Sequence, residues 1–388
     1  MSKAKRILSL VLALCMIAVT CATSFAAGQV KDLGYKTYMC IGDSIATGYL
    51  IKEEGKPFDD ISISDVHDGQ VVDRAFPAIL AKDLGISVKE SNCKFPGRVT
   101  KNGTYTNWYG YQDGGWKRPS KEYHFINYSR EGYTTVDLRR LLDPEYEKTM
   151  SAELLEGSDG RIHNFSFMRE HGFDIMQADV IKDIKKADLI TLTIGSNDLL
   201  MFMLQDVLDV LNMPGLAAGV NSLLEQFGLG AYAQAFTMVL SAAEFAGKLP
   251  LALLTLVTSQ QKCNAQFYEN WDAIIKIIHD ANPNATLVVT NIYNATGNLK
   301  LTDASLLRIG ALAAQSGETF NTYMEKTSPM RGYYEVADVR NVPLSEWPPL
   351  VTWGTMNNFY GAYMYCAHPQ TAGHQYYADQ IEKVLLSL

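Results

Sequence analysis

Lys36-Thr37-Tyr38-Met39-Cys40-Ile41-Gly42-Asp43-Ser44-Ile45-Ala46-Thr47-Gly48-Tyr49 is the stretch on which the fold turns. Its first part, Lys36–Ile41, is a short apolar run closed by Gly-Asp-Ser. A run this short, stopped by turn residues, reads as a strand buried on both faces. The residues after Ser44 can open a helix. Four more runs of the same kind recur: His124–Tyr128, Leu189–Ile194, Thr286–Asn291 and Tyr334–Val339. Helical patterns occupy Phe76–Leu84, Val136–Leu142, Ala178–Lys186, Trp271–Ala281 and Leu306–Lys326. Strands alternating with helices predict one doubly wound α/β domain, a three-layer α/β/α arrangement around a parallel five-stranded sheet. In such sheets the chemistry gathers at the carboxyl ends of the strands.

Two segments depart from that rhythm. Residues 87–122 are rich in Gly, Asn and aromatics, among them Trp108, Tyr109, Tyr111 and Trp116, and read as a long loop before the second strand. Residues 199–262 are apolar and carry as charges only Asp206, Asp209, Glu225, Glu244, Lys248 and Lys262. Pro214, Gly228, Gly230 and Pro250 are expected to divide this insertion into three or four helices. The same charges and breakers argue against a transmembrane span.

The first 26 residues read as a secretory signal peptide. Lys3, Lys5 and Arg6 form a basic start, Ile7–Thr20 is uncharged, and Ser24-Phe25-Ala26 supplies small residues at the cleavage positions. The apolar run is shorter than the roughly 20 residues of a membrane span. Thr20 precedes Cys21 where a lipoprotein would carry a smaller residue. The expectation is export from a Gram-positive bacterium, with cleavage near Ala26, no integral membrane span afterwards and a mature domain over 27–388.

The whole chain has 388 residues, 47% of them hydrophobic and 20% charged, a globular balance that excludes a disordered chain. Its 34 basic and 42 acidic residues give a charge of −8, and removal of the leader makes it −11. An acidic chain is poorly suited to neutralising phosphates, so nucleic acid is not an expected partner. The mature chain keeps Cys40, Cys93, Cys263 and Cys366. Outside the cell these can pair in three ways, and spacing does not choose among them. They do not fit a zinc ribbon or a CxxC redox pair. His67, His124, His163 and His171 lack ligand spacing with Cys or carboxylates, so no metal is expected.

Four short motifs sit where an α/β sheet places its chemistry. Ser44, after the first strand, has its N–H at a helix start and its hydroxyl at the sheet edge, as nucleophilic serines do. Alone, Asp-Ser before a helix is more often a cap. Gly132 follows the second strand in Ser129-Arg130-Glu131-Gly132 and lets the backbone aim an N–H at a ligand; alone it is a turn glycine. Asn197 lies in Gly195-Ser196-Asn197-Asp198 after the third strand, where its amide can bind a developing oxyanion or cap a helix. His368 opens His368-Pro369-Gln370-Thr371-Ala372-Gly373-His374 before the last helix and can take a serine proton. An isolated His is usually structural, and His374 is read that way.

Taken together, in this order, the four motifs resemble those of the SGNH hydrolases, also called GDSL esterases/lipases. The resemblance covers about residues 34–388, and Phe76-Pro77-Ala78-Ile79-Leu80-Ala81 looks like the family's first long helix. It implies a flavodoxin-like version of the five-stranded sheet. It also implies Ser44 as nucleophile and His368 as general base and then acid. The N–H groups of Ser44 and Gly132, with the Asn197 side chain, would form the oxyanion hole. The course would be acyl transfer to Ser44 and then hydrolysis, with no cofactor.

One position departs from the family pattern. The family usually carries an Asp three residues before the His, and here that residue is Tyr365. Three explanations stand: a backbone carbonyl orients His368 in a Ser–His dyad, a carboxylate from elsewhere such as Asp338 substitutes, or the enzyme is weak or specialised.

The insertions bear on substrate. Helices of 199–262, directly after Asn197, would make a lid, an acyl-binding wall or a lipid-surface contact, or else extend the core. The aromatics of 87–122 could stack on sugar rings, or simply pack on the surface. The longer apolar insertion tilts the reading to a lipid-like or acyl ester. A carbohydrate O-acetylesterase, an acyltransferase, and a glycan- or lipid-binding protein on a degenerate hydrolase scaffold are the alternatives.

Overall fold

The run after Tyr35 folds as strand β1 (Tyr38–Gly42), with every residue buried. The computed structural model describes residues 30–49, 51, 73–88, 100–101, 104–105, 124–129, 132–150, 173–199, 244–295, 304–345 and 367–388. After β1 come a single helical turn, α1 (Ser44–Thr47), and α2 (Phe76–Asp83). A small ribbon of β2 (Thr100–Lys101) and β3 (Thr104–Tyr105) precedes β4 (Phe125–Asn127). The chain continues through α3 (Thr135–Leu142), α4 (Phe173–Ile184), β5 (Leu189–Thr193) and α5 (Glu244–Ala281). It ends with β6 (Thr286–Thr290), α6 (Ala304–Arg331), β7 (Glu335–Ala337) and α7 (Thr371–Leu385). Each expected strand is found within two residues of its sequence bounds.

The main sheet has the order β4-β1-β5-β6-β7, and all neighbours are parallel. Counting only its own strands along the chain, that is 2-1-3-4-5, the flavodoxin-like order that the family resemblance implies. Parallel neighbours need crossovers, and the crossover helices cover both faces. Successive strand residues therefore alternate between two cores. Met39, Ile41, Ile190 and Leu192 pack with Leu138, Val180, Trp271 and Phe320 from α3 to α6. Tyr38, Cys40 and Val288 pack on the other face with Phe76, Tyr377 and Ile381 from α2 and α7.

The order reverses direction between β1 and β5. The chain goes from β1 to the edge strand β4, then returns past β1 to β5. Loops leaving the carboxyl ends of β1 and β5 therefore diverge and leave a crevice. The Gly-Asp-Ser and Gly-Ser-Asn-Asp motifs both sit there.

Pro250 does not divide its segment as the sequence suggests. Glu244–Ala281 is one helix of 38 residues, of which the expected Trp271–Ala281 is the last part. A proline removes one backbone hydrogen bond and crowds the preceding turn. Here the helix is anchored further along by the buried face Cys263, Phe267, Trp271, Ile274 and Ile278. Cys40 and Cys263 are buried and form no disulfide, and Cys93 and Cys366 lie outside the described residues. Among the described residues no helix is long and apolar enough to cross a membrane. The leader, most of the 87–122 loop with its aromatics, residues 200–243 of the insertion, and Tyr365 lie outside the described residues.

Candidate active site

Ser44 owes its position to the end of β1. Asp43 extends the β1–β5 ladder by one bond, its N–H donating to the Thr193 carbonyl at 3.1 Å. Its side chain caps α1 by accepting from the Ile45 N–H at 3.0 Å. Gly42 is required by proximity: a Cβ there would stand 2.7 Å from the Thr193 carbonyl oxygen. Ser44 is thus the first residue of a helical turn at the β1/β5 crevice, mostly buried at 8% exposure.

The loop after β4 is tied to the same turn. The Asn127 side-chain amide donates to the Ala46 carbonyl at 2.9 Å, and its oxygen accepts from the Ser129 N–H at 2.9 Å. Gly132 takes a left-handed conformation, φ 77°. Two residues on, Thr134 and Asp137 form a capping box that starts α3.

Gly195-Ser196-Asn197-Asp198 joins this loop to β5. The Asn197 amide donates to the Tyr133 carbonyl at 2.9 Å, which sets it beside the Gly132–Tyr133 turn. The Asp198 carboxylate accepts from the Thr135 N–H at 2.9 Å and also from its hydroxyl. It therefore sits at the positive end of α3. Gly195 has φ 116°, and a Cβ there would lie 2.9 Å from both Phe267 and Ile292.

Two carboxyls here are held high. Burial pushes Asp43 up to about 7, with the charge of Asp198 adding to it. Burial likewise raises Asp198 to about 7 against the lowering effect of its Thr135 hydrogen bonds.

His368 reaches the crevice from the opposite end of the chain. Its Nε2 stands 2.9 Å from Ser44 Oγ, and its ring is tilted against Tyr49 at 5.2 Å. An imidazole nitrogen at that distance can accept the hydroxyl proton as the oxygen attacks an electrophile. Asp338, after β7, directs its Oδ1 to the Asn291 amide at 2.8 Å and to the Arg340 N–H at 3.1 Å. Hydrogen bonds from Asn291 and Arg340, with the Arg340 charge, hold its carboxyl below the usual range despite partial burial.

The structure thus joins Ser44 to His368, and Asn197 to the turn that holds Gly132. Sequence reasoning passed over Asn127, Thr135 and Tyr293. The Thr134–Asp137 spacing is a legible capping signal that points to α3. Nothing in the sequence near Tyr293, whose hydroxyl donates to the Ala367 carbonyl at 2.6 Å, marks it as a partner of the His368 segment. Among the described residues no group of three His, Cys, Asp or Glu side chains is placed to hold a metal ion.

None of the curated proteins compared matches the chain. Several solved structures do. An extracellular lipase from Streptomyces rimosus aligns at 13% identity over 90% of this chain and 99% of its own, with a TM-score of 0.41. A phospholipase A1 from Streptomyces albidoflavus aligns at 15% identity over 90% and 99%, TM-score 0.41. A carbohydrate esterase with divergent catalytic and non-catalytic binding functions aligns at 11% identity over 91% and 69%, TM-score 0.40. The family model of the GDSL-like lipases/acylhydrolases matches residues 38–381, from the first residue of β1 into the last helix. The chain therefore belongs to the GDSL-like lipase/acylhydrolase family.

Proposed function

We propose that this protein is a secreted serine ester hydrolase that works through an acyl-Ser44 intermediate on a lipid-like or long-chain acyl ester. The observation that carries the reading is the 2.9 Å approach of His368 Nε2 to Ser44 Oγ.

In this reading Ser44 Oγ attacks the ester carbonyl carbon while its proton passes to His368 Nε2. The carbonyl oxygen becomes an oxyanion, met by the Ser44 and Gly132 N–H groups and the Asn197 amide. An amide carries two N–H bonds. One bond fixes Asn197 on Tyr133 and the other serves the oxyanion. His368 then gives its proton to the departing alcohol oxygen as the tetrahedral carbon collapses to the acyl-Ser44 ester. A water, deprotonated by His368, attacks that ester and releases the acid, and Ser44 regains its proton. Asp338 is assigned no proton in this scheme, because its carboxylate already serves Asn291 and Arg340.

The lipid-like substrate is supported by the insertion. The helix between two parallel strands runs back from their carboxyl edge, so the start of α5 lies on the side of Ser44. The Cys263 thiol donates to the Asp198 carbonyl and marks the level of the crevice on that helix. The preceding helical residues, 244–262, span about 28 Å at 1.5 Å per residue. The apolar residues gather in Leu249–Val257, which holds five Leu, an Ala and a Val. The aromatics of 87–122 support a second reading, a carbohydrate O-acetylesterase or acyltransferase with the same covalent step. Export rests on the leader sequence.

The test is hydrolysis of nitrophenyl esters from acetate to palmitate by the mature protein, with Ser44→Ala beside it. The expected result is Ser44-dependent turnover that rises towards long chains. Turnover retained by the folded Ser44→Ala protein would overturn the mechanism, and a short-chain optimum would favour the deacetylase. No turnover, and no labelling of Ser44 by a fluorophosphonate, would leave a binding protein on a hydrolase scaffold.

A further inference from the structure

The three donors that the hydrolase reading assigns to the oxyanion stand on three separate segments. Ser44 opens the turn after β1, Gly132 lies in the loop after β4, and Asn197 lies in the turn after β5. Hydrogen bonds tie these segments in pairs. The Asp43 N–H donates to the Thr193 carbonyl at 3.1 Å and joins the β1 turn to β5. The Asn197 amide donates to the Tyr133 carbonyl at 2.9 Å and joins the β5 turn to the β4 loop. The Asn127 amide donates to the Ala46 carbonyl at 2.9 Å and joins the end of β4 to the β1 turn. This last bond closes the triangle.

Asn127 is well placed to do so. It is the last residue of β4, paired with Cys40 of β1 where the register of the two strands ends, and it is 7% exposed. Its side-chain oxygen accepts from the Ser129 N–H at 2.9 Å, two residues on, which makes an Asx turn at the start of the loop. The two partners fix which way the amide faces, since a carbonyl can only accept and an N–H only donate. The turn it supports, α1, has four residues. One helical turn fixes several residues for little internal hydrogen bonding, so it needs support from outside.

We propose that Asn127 is a positioning residue for the oxyanion site, holding the turn that carries the Ser44 N–H against the loop that carries the Gly132 N–H. This assignment rests on the hydrolase reading. Asn127 acts through Ala46 and Ser129, not on the reacting atoms. Donors from two segments must converge on one oxygen, each at roughly 2.7–3.1 Å. A misplacement of about 1 Å can cost on the order of a hundredfold in rate, so a bond that fixes one segment on the other matters beyond its own strength.

Asn127→Ser separates the two bonds. A serine oxygen can still accept from the N–H two residues on, but it is too short to reach the Ala46 carbonyl. The variant is expected to lose about ten- to a hundredfold in kcat on nitrophenyl butyrate, with KM within about twofold. An alkyl trifluoromethyl ketone gives a second readout. Ser44 Oγ adds to its carbonyl carbon, the serine proton passes to His368, and the ketone oxygen becomes an oxyanion. Its affinity should fall by about the same factor as kcat/KM. A fluorophosphonate should still label every site, only more slowly. A merely structural role would instead lower the fraction of sites labelled and leave the rest reacting at the wild-type rate. That result, a kcat within about threefold of wild type, or an unchanged ketone affinity would each overturn the assignment. Should Asn127→Ser not fold, Asn127→Asp, which keeps the acceptor for Ser129 and loses the donor for Ala46, decides by the same measurements. A wild-type protein that binds the ketone but hydrolyses no ester would sink the ester-hydrolase reading, with the ketone affinities still deciding Asn127. A wild type that does neither overturns both.

Discussion

His368 Nε2 lies 2.9 Å from Ser44 Oγ, although 324 positions separate the two residues in the chain. Ser44 opens the helical turn that ends β1, and His368 closes on it from the turn before α7. The pairing brings the first and last core elements together at the carboxyl edge of the sheet. His368→Ala should lower kcat on nitrophenyl esters by about 10³-fold or more, the usual order for losing the base of such a pair. The melting temperature should change little, because the side chain lies in a turn. A loss of less than tenfold would remove His368 from the mechanism.

Asn197 has two tasks. It holds the Tyr133 carbonyl and, in the proposed mechanism, the oxyanion. Asn197→Ala should cost about 10²–10³ in kcat, together with about 1 kcal/mol of stability from the abandoned carbonyl. Measuring kcat and urea unfolding on the same variant separates the two. A stability loss without a loss of kcat would leave Asn197 a structural residue.

Gly195 and Gly34 make a matched comparison. Both have positive φ, 116° and 77°, but Gly34 has open space where its Cβ would go. Gly34→Ala should cost about 1 kcal/mol from the backbone conformation alone. Gly195→Ala adds overlap with Phe267 and Ile292 and should cost about 2–4 kcal/mol. It should also impair turnover, since Asn197 lies only two residues further on. Equal losses in the two variants would mean that the β5 turn relaxes freely.

Asp83 of α2 and Glu382 of α7 form a carboxyl pair across the helix interface. Burial pushes Glu382 up to about 8, with the hydrogen bond and charge of Asp83 adding to it. The folded value lies above the unfolded one, so the stabilisation is full below about 4.5 and is lost as pH rises through about 8. The wild-type melting temperature should therefore fall between pH 6 and 9. Glu382→Gln, which cannot ionise but can still donate to Asp83, should lose several degrees less over the same range. Parallel curves for the two proteins would refute a shared proton at this interface.

The sequence by itself determined the strands, the sheet they form and the family motifs. All five strands announce themselves because a parallel strand buried on both faces must be a nearly unbroken apolar run. The motifs at residues 42–44 and 195–198 are legible for a related reason. Each needs a glycine where the turn is crowded, and each carries a short acidic side chain that meets a helix start, Asp43 at α1 and Asp198 at α3. Local chemistry dictates these choices, so local sequence displays them.

Tertiary structure decided what local chemistry leaves open. Pro250 reads as a break, yet α5 runs through it, because the helix is held by a buried face some distance along the chain. Cys40 and Cys263 could have been bridged by spacing alone, but they lie in the cores on opposite faces of the sheet. Tyr293 and His374 carry no motif. Their partners, Ala367 and Phe76, are 74 and 298 positions away, and only the stacking of α2, β6 and α7 brings them within a hydrogen bond. A contact made between distant segments leaves no period or spacing in the sequence, because its geometry is set by how whole elements pack.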